Sequence, residues 1–299
     1  MNKVLGNKKA LALFTLPAII LFTLLAIVPI IWSLFYSFFS GMPGVNFQFC
    51  GLDNFKQFFT DTNVHQGFLR NIKYVIVVMI GQVGIGFALA MLINYGVNHC
   101  KNLIRTCMFI PVVLPSVAVG QLFQKIYAIA PQNGLLNAFL ELIGLKFLVT
   151  AWIGDVSTAL WSLAAMDIWK GVGLYCLIFY SAIIDLPGDV VEAAKIDGCN
   201  AVQTLVKVIV PMLSPTITSI ALFQFMWSSN DFMGPLLYVN TPAKYPLAIF
   251  VKMSMDADSG FQWNRILALS LISIIPSLVV FFMAQDKFVD GISAGGVKG

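Results

Sequence analysis

Charged residues are sparse along this chain, and they punctuate long apolar runs. A helix that crosses a hydrocarbon core about 30 Å thick needs roughly 20 mostly apolar residues, so the placement of the charges divides the chain into candidate spans. Six such spans are predicted, at about Leu11–Phe39, Tyr74–Asn94, Thr106–Gln124, Ser157–Ile184, Val208–Asn230 and Ile266–Gln285. The third carries Pro111 and Pro115, which membrane helices tolerate when neighbours re-satisfy the freed carbonyls. The fourth is interrupted by Asp167 and Lys170, and the sixth contains Pro276. The first span follows Lys3, Lys8 and Lys9, is too long for a signal peptide and lacks a small-residue cleavage site, so it reads as a retained helix.

Composition points the same way. Of 299 residues, 59% are hydrophobic and 11% charged, and the mean hydropathy of +0.85 lies outside the range of soluble domains. The chain is predicted to be an all-α integral membrane protein of the cell membrane, a single transmembrane domain over residues 1–299. With a cytoplasmic N-terminus, six spans return the C-terminus to the cytoplasm and place His99–Arg105 and the segment around Glu192 on that side. Lys and Arg are denser there, although Lys56, Arg70, Lys244, Lys252 and Arg265 fall outside. The net charge of +4 suggests no nucleic-acid partner, and the expected surroundings are membrane lipid.

Candidate catalytic chemistry is scarce. The two histidines, His65 and His99, fall on opposite sides of the membrane, and there is neither HExxH nor a Ser/His/Asp grouping that could meet. The five cysteines are scattered without CxxC spacing, which implies no zinc site or disulfide framework. The stretch DADSG from Asp256 lacks the later ligands of a calcium loop. There is also no GxxxxGK[ST] phosphate loop, so any ATP-driven work would require another chain. An enzyme is not expected.

One segment is polar in detail. Pro187 ends the fourth span, and Asp189 with Glu192 three positions on predicts a capping box that starts a short helix over about Val190–Ile196. Gly198 suits the left-handed turn that closes it, and Asn200 with Gln203 offers a second cap. Val202, Leu205, Val206 and Ile209 then form an apolar stripe, and Pro211 marks the start of the fifth span. A helical hairpin that covers lipid headgroups and one that docks a partner are both compatible with this pattern.

The spacing of Glu192-Ala193-Ala194, Asp197, Gly198 and Pro211 resembles the EAA loop of ABC importer permeases. The likeness extends over essentially the whole chain and narrows to the carbohydrate branch, the maltose and glycerol-phosphate type. LPAIILFTLLAIVPIIWSLFYSFF, GLDNFKQFF from Gly51 and PQNGLLNAFL from Pro131 are similar to the first permease of such systems, and NDFMGPLLYVN from Asn230 and DGISAGGVKG from Asp290 to the second. The resemblance implies the six-helix permease fold and a coupling loop over residues 186–211 that docks a cytoplasmic ATPase dimer, with Glu192 facing a basic residue there. It further implies ATP and Mg held by that ATPase and no cofactor on this chain. A second permease subunit and an extracytoplasmic sugar-binding protein would complete the assembly, the latter met by the loop over residues 232–264.

Charges inside spans cost about 2.5 to 3.5 kcal/mol each on insertion scales and ask for a partner or a wet path. Asp167, Lys170, Gly171 and Leu174 share one helical face, and an internal Asp167–Lys170 ion pair is one account of it. On the fifth span Gln224, Trp227, Ser228 and Asp231 share a face bearing an amide, an indole, a hydroxyl and a carboxylate. An aromatic surface beside polar groups suits a sugar ring, although packing and interface anchoring are equally available to Trp227. By the resemblance, these eight positions match the sugar cavity of maltose-type permeases. The expected function is therefore ATP-driven import of a sugar by alternating access. A secondary transporter using Asp167 and Lys170 as an ion relay remains the alternative from the charges alone.

Overall fold

The computed structural model describes residues 8–41, 46–129, 131–231 and 263–296. The chain divides into two compact units, Met1–His65 with Val251–Ile275, and Gln66–Phe250 with Pro276–Gly299.

In the first unit, α1 (Lys8–Ser37) is apolar on every side and none of its most apolar stretch is buried within the chain, as expected of a helix solvated by lipid. A π turn at Thr23–Ile27 immediately precedes Pro29, whose missing N–H and ring disfavour a regular turn at that point. Strand β1 (Phe39–Ser40) then pairs antiparallel with β2 (Gln48–Phe49). GLDNFKQFF supplies the next helix, α2 (Asp53–Thr60), and its buried Asn54 donates to the carbonyls of Ser37 (2.9 Å) and Phe39 (2.8 Å). At the start of the last helix, Asn264 donates to Phe39 O (2.6 Å) and Arg265 pairs with Asp61 (2.8 Å). Sequence periodicity did not foresee these small elements, which are held by the backbone-directed amide of Asn54 together with Phe58, buried one turn on, and by packing of Phe55 on Phe38.

The second unit is built on two long helices, α3 (Thr62–Met91, which begins in the first unit and continues as a π turn to Gly96) and α7 (Val156–Ile184). One apolar cluster joins Tyr74 and Val78 of α3 to Val119, Phe123, Leu163, Met166 and Phe225; a second joins Val83 and Ile93 to Tyr175, Phe179, Ile209, Leu213 and Ile220. Gly173 lets α7 lie directly on the backbone of Met108, because a Cβ there would collide with that carbonyl. Close approach at a small residue is how membrane helices gain packing energy without a hydrophobic driving force.

Two predicted spans are broken. The third is α4 (Lys101–Val113) followed by α5 (Ser116–Ile126), bent by 96°. Leu114 is extended, the conformation imposed on a residue before proline, and Pro115 caps α5. The fifth is α9 (Ala201–Met212) followed by α10 (Ser214–Ser229), bent by 69°. Pro211 lies inside α9 behind a π turn at Leu205–Ile209, so the break comes at Leu213, with Pro215 in the first turn of α10. Among the described residues, four helices are long and apolar enough to span a membrane, six if each bent pair counts as one span. Between α5 and α7 lies α6 (Leu135–Leu142), fixed by the fully buried Asn137. Its amide donates to Ala128 O and Thr150 O and accepts from Trp152 Nε1 (2.7 Å). After α10, α11 (Trp263–Gly296) closes the described chain and carries Pro276.

Candidate functional site: a polar cleft and a polar hairpin

The hairpin comprises α8 (Gly188–Ile196) and α9. Its first cap differs from expectation. Pro187 occupies the N-cap position, and Asp189 lies within the first turn, so the Asp189–Glu192 capping box does not form. Proline pre-sets the chain for helix entry, and Asp189 still favours the positive end of the helix dipole. The turn agrees with expectation. Gly198 has φ +82°, its N–H donates to Lys195 O (3.1 Å), and that of Cys199 donates to Ala194 O (3.0 Å). These two crossed bonds form a Schellman closure, which needs a left-handed residue where glycine stands. Asn200 and Gln203 form the second capping box, with both bonds at 2.9 Å.

The apolar stripe divides. Ile209 is buried in the second cluster and Leu205 packs against it, but Val202 and Val206 are exposed, as is Ile196 at the end of α8. The buried face runs through Thr204, Leu205, Val208 and Ile209, shifted by the π turn. Thus α9 is anchored in the membrane-embedded core through Ile209 and Leu213, while the exposed tip around Gly198 carries Ile196 and Val202 outward. Ala194 is buried, and Glu192 and Asp197 lie at the hairpin surface.

The cleft lies between α3, α4, α7 and α10 and has a volume of about 230 Å³. Six of the eight residues predicted from helical faces line it, namely Asp167, Lys170, Gly171, Leu174, Gln224 and Trp227. Gln82, Val112 and Tyr175 complete the wall. Ser228 is buried behind Gln224, whose Nε2 donates to its Oγ (2.7 Å), while Tyr175 OH donates to Gln224 Oε1. The amide of Gln224 is thus held at both ends. Asp231 follows α10 and donates its N–H to Ser228 O (3.3 Å). Trp227, by contrast, is 79% exposed, free to present its indole face.

Asp167 and Lys170, for which an internal ion pair was one account, form no salt bridge with each other. Tyr74 OH donates to Asp167 Oδ2 (3.1 Å), and Lys170 Nζ donates to Ser116 Oγ (2.6 Å). The salt bridges among the described residues are Lys56–Asp53 and Arg265–Asp61. Gly171 has its own reason: a Cβ there would strike the amide of Gln82, which lies across α7 and donates to Asp167 O (2.6 Å). Tyr74, Gln82, Ser116 and Tyr175 were missed from sequence: the first three sit on helices other than the one carrying the polar run they support, and Tyr175 follows Gly171 by one turn on α7 among apolar neighbours. A buried Gln inside an apolar span was the available signal.

Membrane spans, a polar cleft between them and a capped hairpin continuous with the embedded core together define a transport permease. Over residues 82–286 the chain matches the family described as "Binding-protein-dependent transport system inner membrane component", and it belongs to that family. It is 33% identical to a probable ABC transporter permease, YurN of Bacillus subtilis, over 95% of this chain and 98% of that one. It is 25% identical to the trehalose/maltose transport system permease MalG of Thermococcus litoralis, over 94% of each. A crystal structure of a bacterial alginate ABC transporter bound to an alginate-loaded periplasmic protein contains a chain of the same fold, with a TM-score of 0.76 at 19% identity and 94% of each chain covered. The protein is therefore a multi-pass inner-membrane component of a binding-protein-dependent ABC importer, a transport subunit and not an enzyme. The expected fold and class are borne out, and nothing among these relatives favours the secondary-transporter alternative.

Proposed function

We propose that this chain imports a sugar or oligosaccharide by alternating access. The observation that carries the reading is the cleft, where an exposed indole, a doubly fixed amide and two charged side chains meet between membrane helices. Hydroxyl-rich solutes pair with such groups, and the apolar C–H face of a sugar ring stacks on an indole. The names of relatives that carry trehalose, maltose or multiple sugars support the same class. The eight face residues, Asp231 and Ser228 included, form or support the cavity wall.

In this reading a second permease subunit faces the cleft, and an extracytoplasmic sugar-binding protein delivers substrate toward the loop over 232–264, which lies outside the described residues apart from Trp263 and Asn264. An ABC ATPase dimer holds ATP and Mg and docks at residues 186–211. Both termini are cytoplasmic. Glu192, Ala193, Ala194, Asp197 and Gly198 form the docking tip, and Pro211 shapes the shaft that carries its movement to Leu213 and the core. ATP-driven closure of the ATPases would thereby bias the permease between its outward and inward states.

Reconstitution with a candidate ATPase, binding protein and second permease tests the proposal. ATP-dependent uptake of labelled sugar is expected in wild type and lost in Glu192→Ala and Gly198→Pro. Uptake that ignores ATP, or that survives both substitutions, would refute the coupling.

A further inference from the structure

Asp167 and Lys170 are three residues apart on one face of α7, within the span and on the wall of one cleft. Opposite charges at this spacing attract, and the attraction strengthens as water is excluded. Direct pairing would nevertheless be poor for transport, because a solute would have to compete with the attraction between the two charges to reach either one. Each charge is instead tied to a neutral hydroxyl from another helix, Asp167 to Tyr74 on α3 and Lys170 to Ser116 at the start of α5. Tyr74 is only 2% exposed and packed into the first core cluster, so its hydroxyl is fixed. Ser116 reaches Lys170 from the first residue of α5, directly after the 96° break.

We propose that Tyr74 and Ser116 are positioning residues that hold Asp167 and Lys170 apart, so that each charged group keeps free hydrogen-bonding capacity for hydroxyls of the solute in the cleft. An ammonium has three donors and a carboxylate about four acceptor sites, and one hydroxyl partner uses only one of each. A sugar hydroxyl is also the same chemical group as the two it would join or replace, so substrate can enter and leave without separating an ion pair. The substrate side of this inference rests on the sugar-import reading. The separation of charges rests on the cleft geometry alone.

The test is a double-mutant cycle in the full chain, purified in detergent and followed by thermal melting. In the native background the coupling between Asp167→Asn and Lys170→Met is expected to be small, the residual attraction of two nearby charges that do not close into a pair. In a Tyr74→Phe/Ser116→Ala background it is expected to grow severalfold as the freed charges collapse onto one another. Coupling as large in the native background as in that one would overturn the proposal. In the assembled transporter, Tyr74→Phe and Ser116→Ala are expected to raise the half-saturating sugar concentration several-fold with the maximal rate retained, and Ser116→Thr to restore it. Loss of maximal rate at unchanged half-saturation would count against a positioning role. If wild type carries no sugar at all, the import reading falls, while the melting cycle still decides the charge separation.

Discussion

The hairpin and the cleft solve opposite problems with opposite means. The hairpin must keep a fixed shape at the membrane surface, and it does so through consecutive residues: Pro187, Gly198, and the Asn200–Gln203 box, each acting within one turn. The cleft must keep polar groups poised inside a lipid-embedded bundle, where an unpaired polar group costs several kcal/mol. It does so through bonds between residues as far apart as Tyr74 and Asp167, Gln82 and Asp167, or Tyr175 and Gln224. Local substitutions should therefore break the hairpin one turn at a time, and changes in the cleft should spread across helices.

The largest expected effect is at the hairpin turn. Proline at Gly198 cannot adopt φ +82°, and the Schellman bond from its own N–H is lost as well. ATP-dependent uptake should fall by at least about tenfold, since a strained turn of 1–3 kcal/mol suffices to displace the tip, while membrane insertion and detergent melting stay near wild type. Strong loss of melting temperature would show that the hairpin is not locally determined.

Next is Gly171→Ala, where the added methyl meets the Gln82 amide. Gln82 can swing aside only by giving up its bond to Asp167 O, and a buried amide left without its partner costs about 1–3 kcal/mol. A lowered Tm is expected, and Gln82→Ala in the same chain should recover part of it, because the two sites are coupled through one contact. No recovery would separate α3 from the cleft.

Gln224→Leu should cost about 1–3 kcal/mol, leaving the hydroxyls of Tyr175 and Ser228 without their amide partner. Its effect on the half-saturating sugar concentration is expected to exceed its effect on Tm, whereas Trp227→Ala, at an exposed position, should change half-saturation with almost no change in Tm. The smallest effect is expected at Asn200→Ala, about 1 kcal/mol for one lost helix cap, read as a modest drop in coupled uptake.

Much of the architecture was legible from charge spacing. The first, second, fourth and sixth spans appear where apolar length required them, and Gly198 and the Asn200–Gln203 cap follow from residue types whose preferences act within a few positions. The breaks in the third and fifth spans were harder. Pro111 and Pro211 are absorbed inside helices, and Pro115 and Pro215 begin new ones. A proline's neighbours decide whether a freed carbonyl finds a partner, and those neighbours come from elsewhere in the chain. The expected capping by Asp189 failed for a simpler reason: Pro187 already supplied the helix start.

By itself, the sequence determined that this chain lives in a membrane, where its apolar stretches lie, and that it carries a capped polar hairpin between two of them. Those properties depend on local apolar length and turn chemistry, which one stretch of chain fixes alone. Only the tertiary structure decided that Asp167 and Lys170 bond to Tyr74 and Ser116 in preference to each other, and that Gly171 exists to admit Gln82. Hydrogen bonds among buried groups are chosen by whichever partner the packing brings within reach, and that choice belongs to the folded bundle.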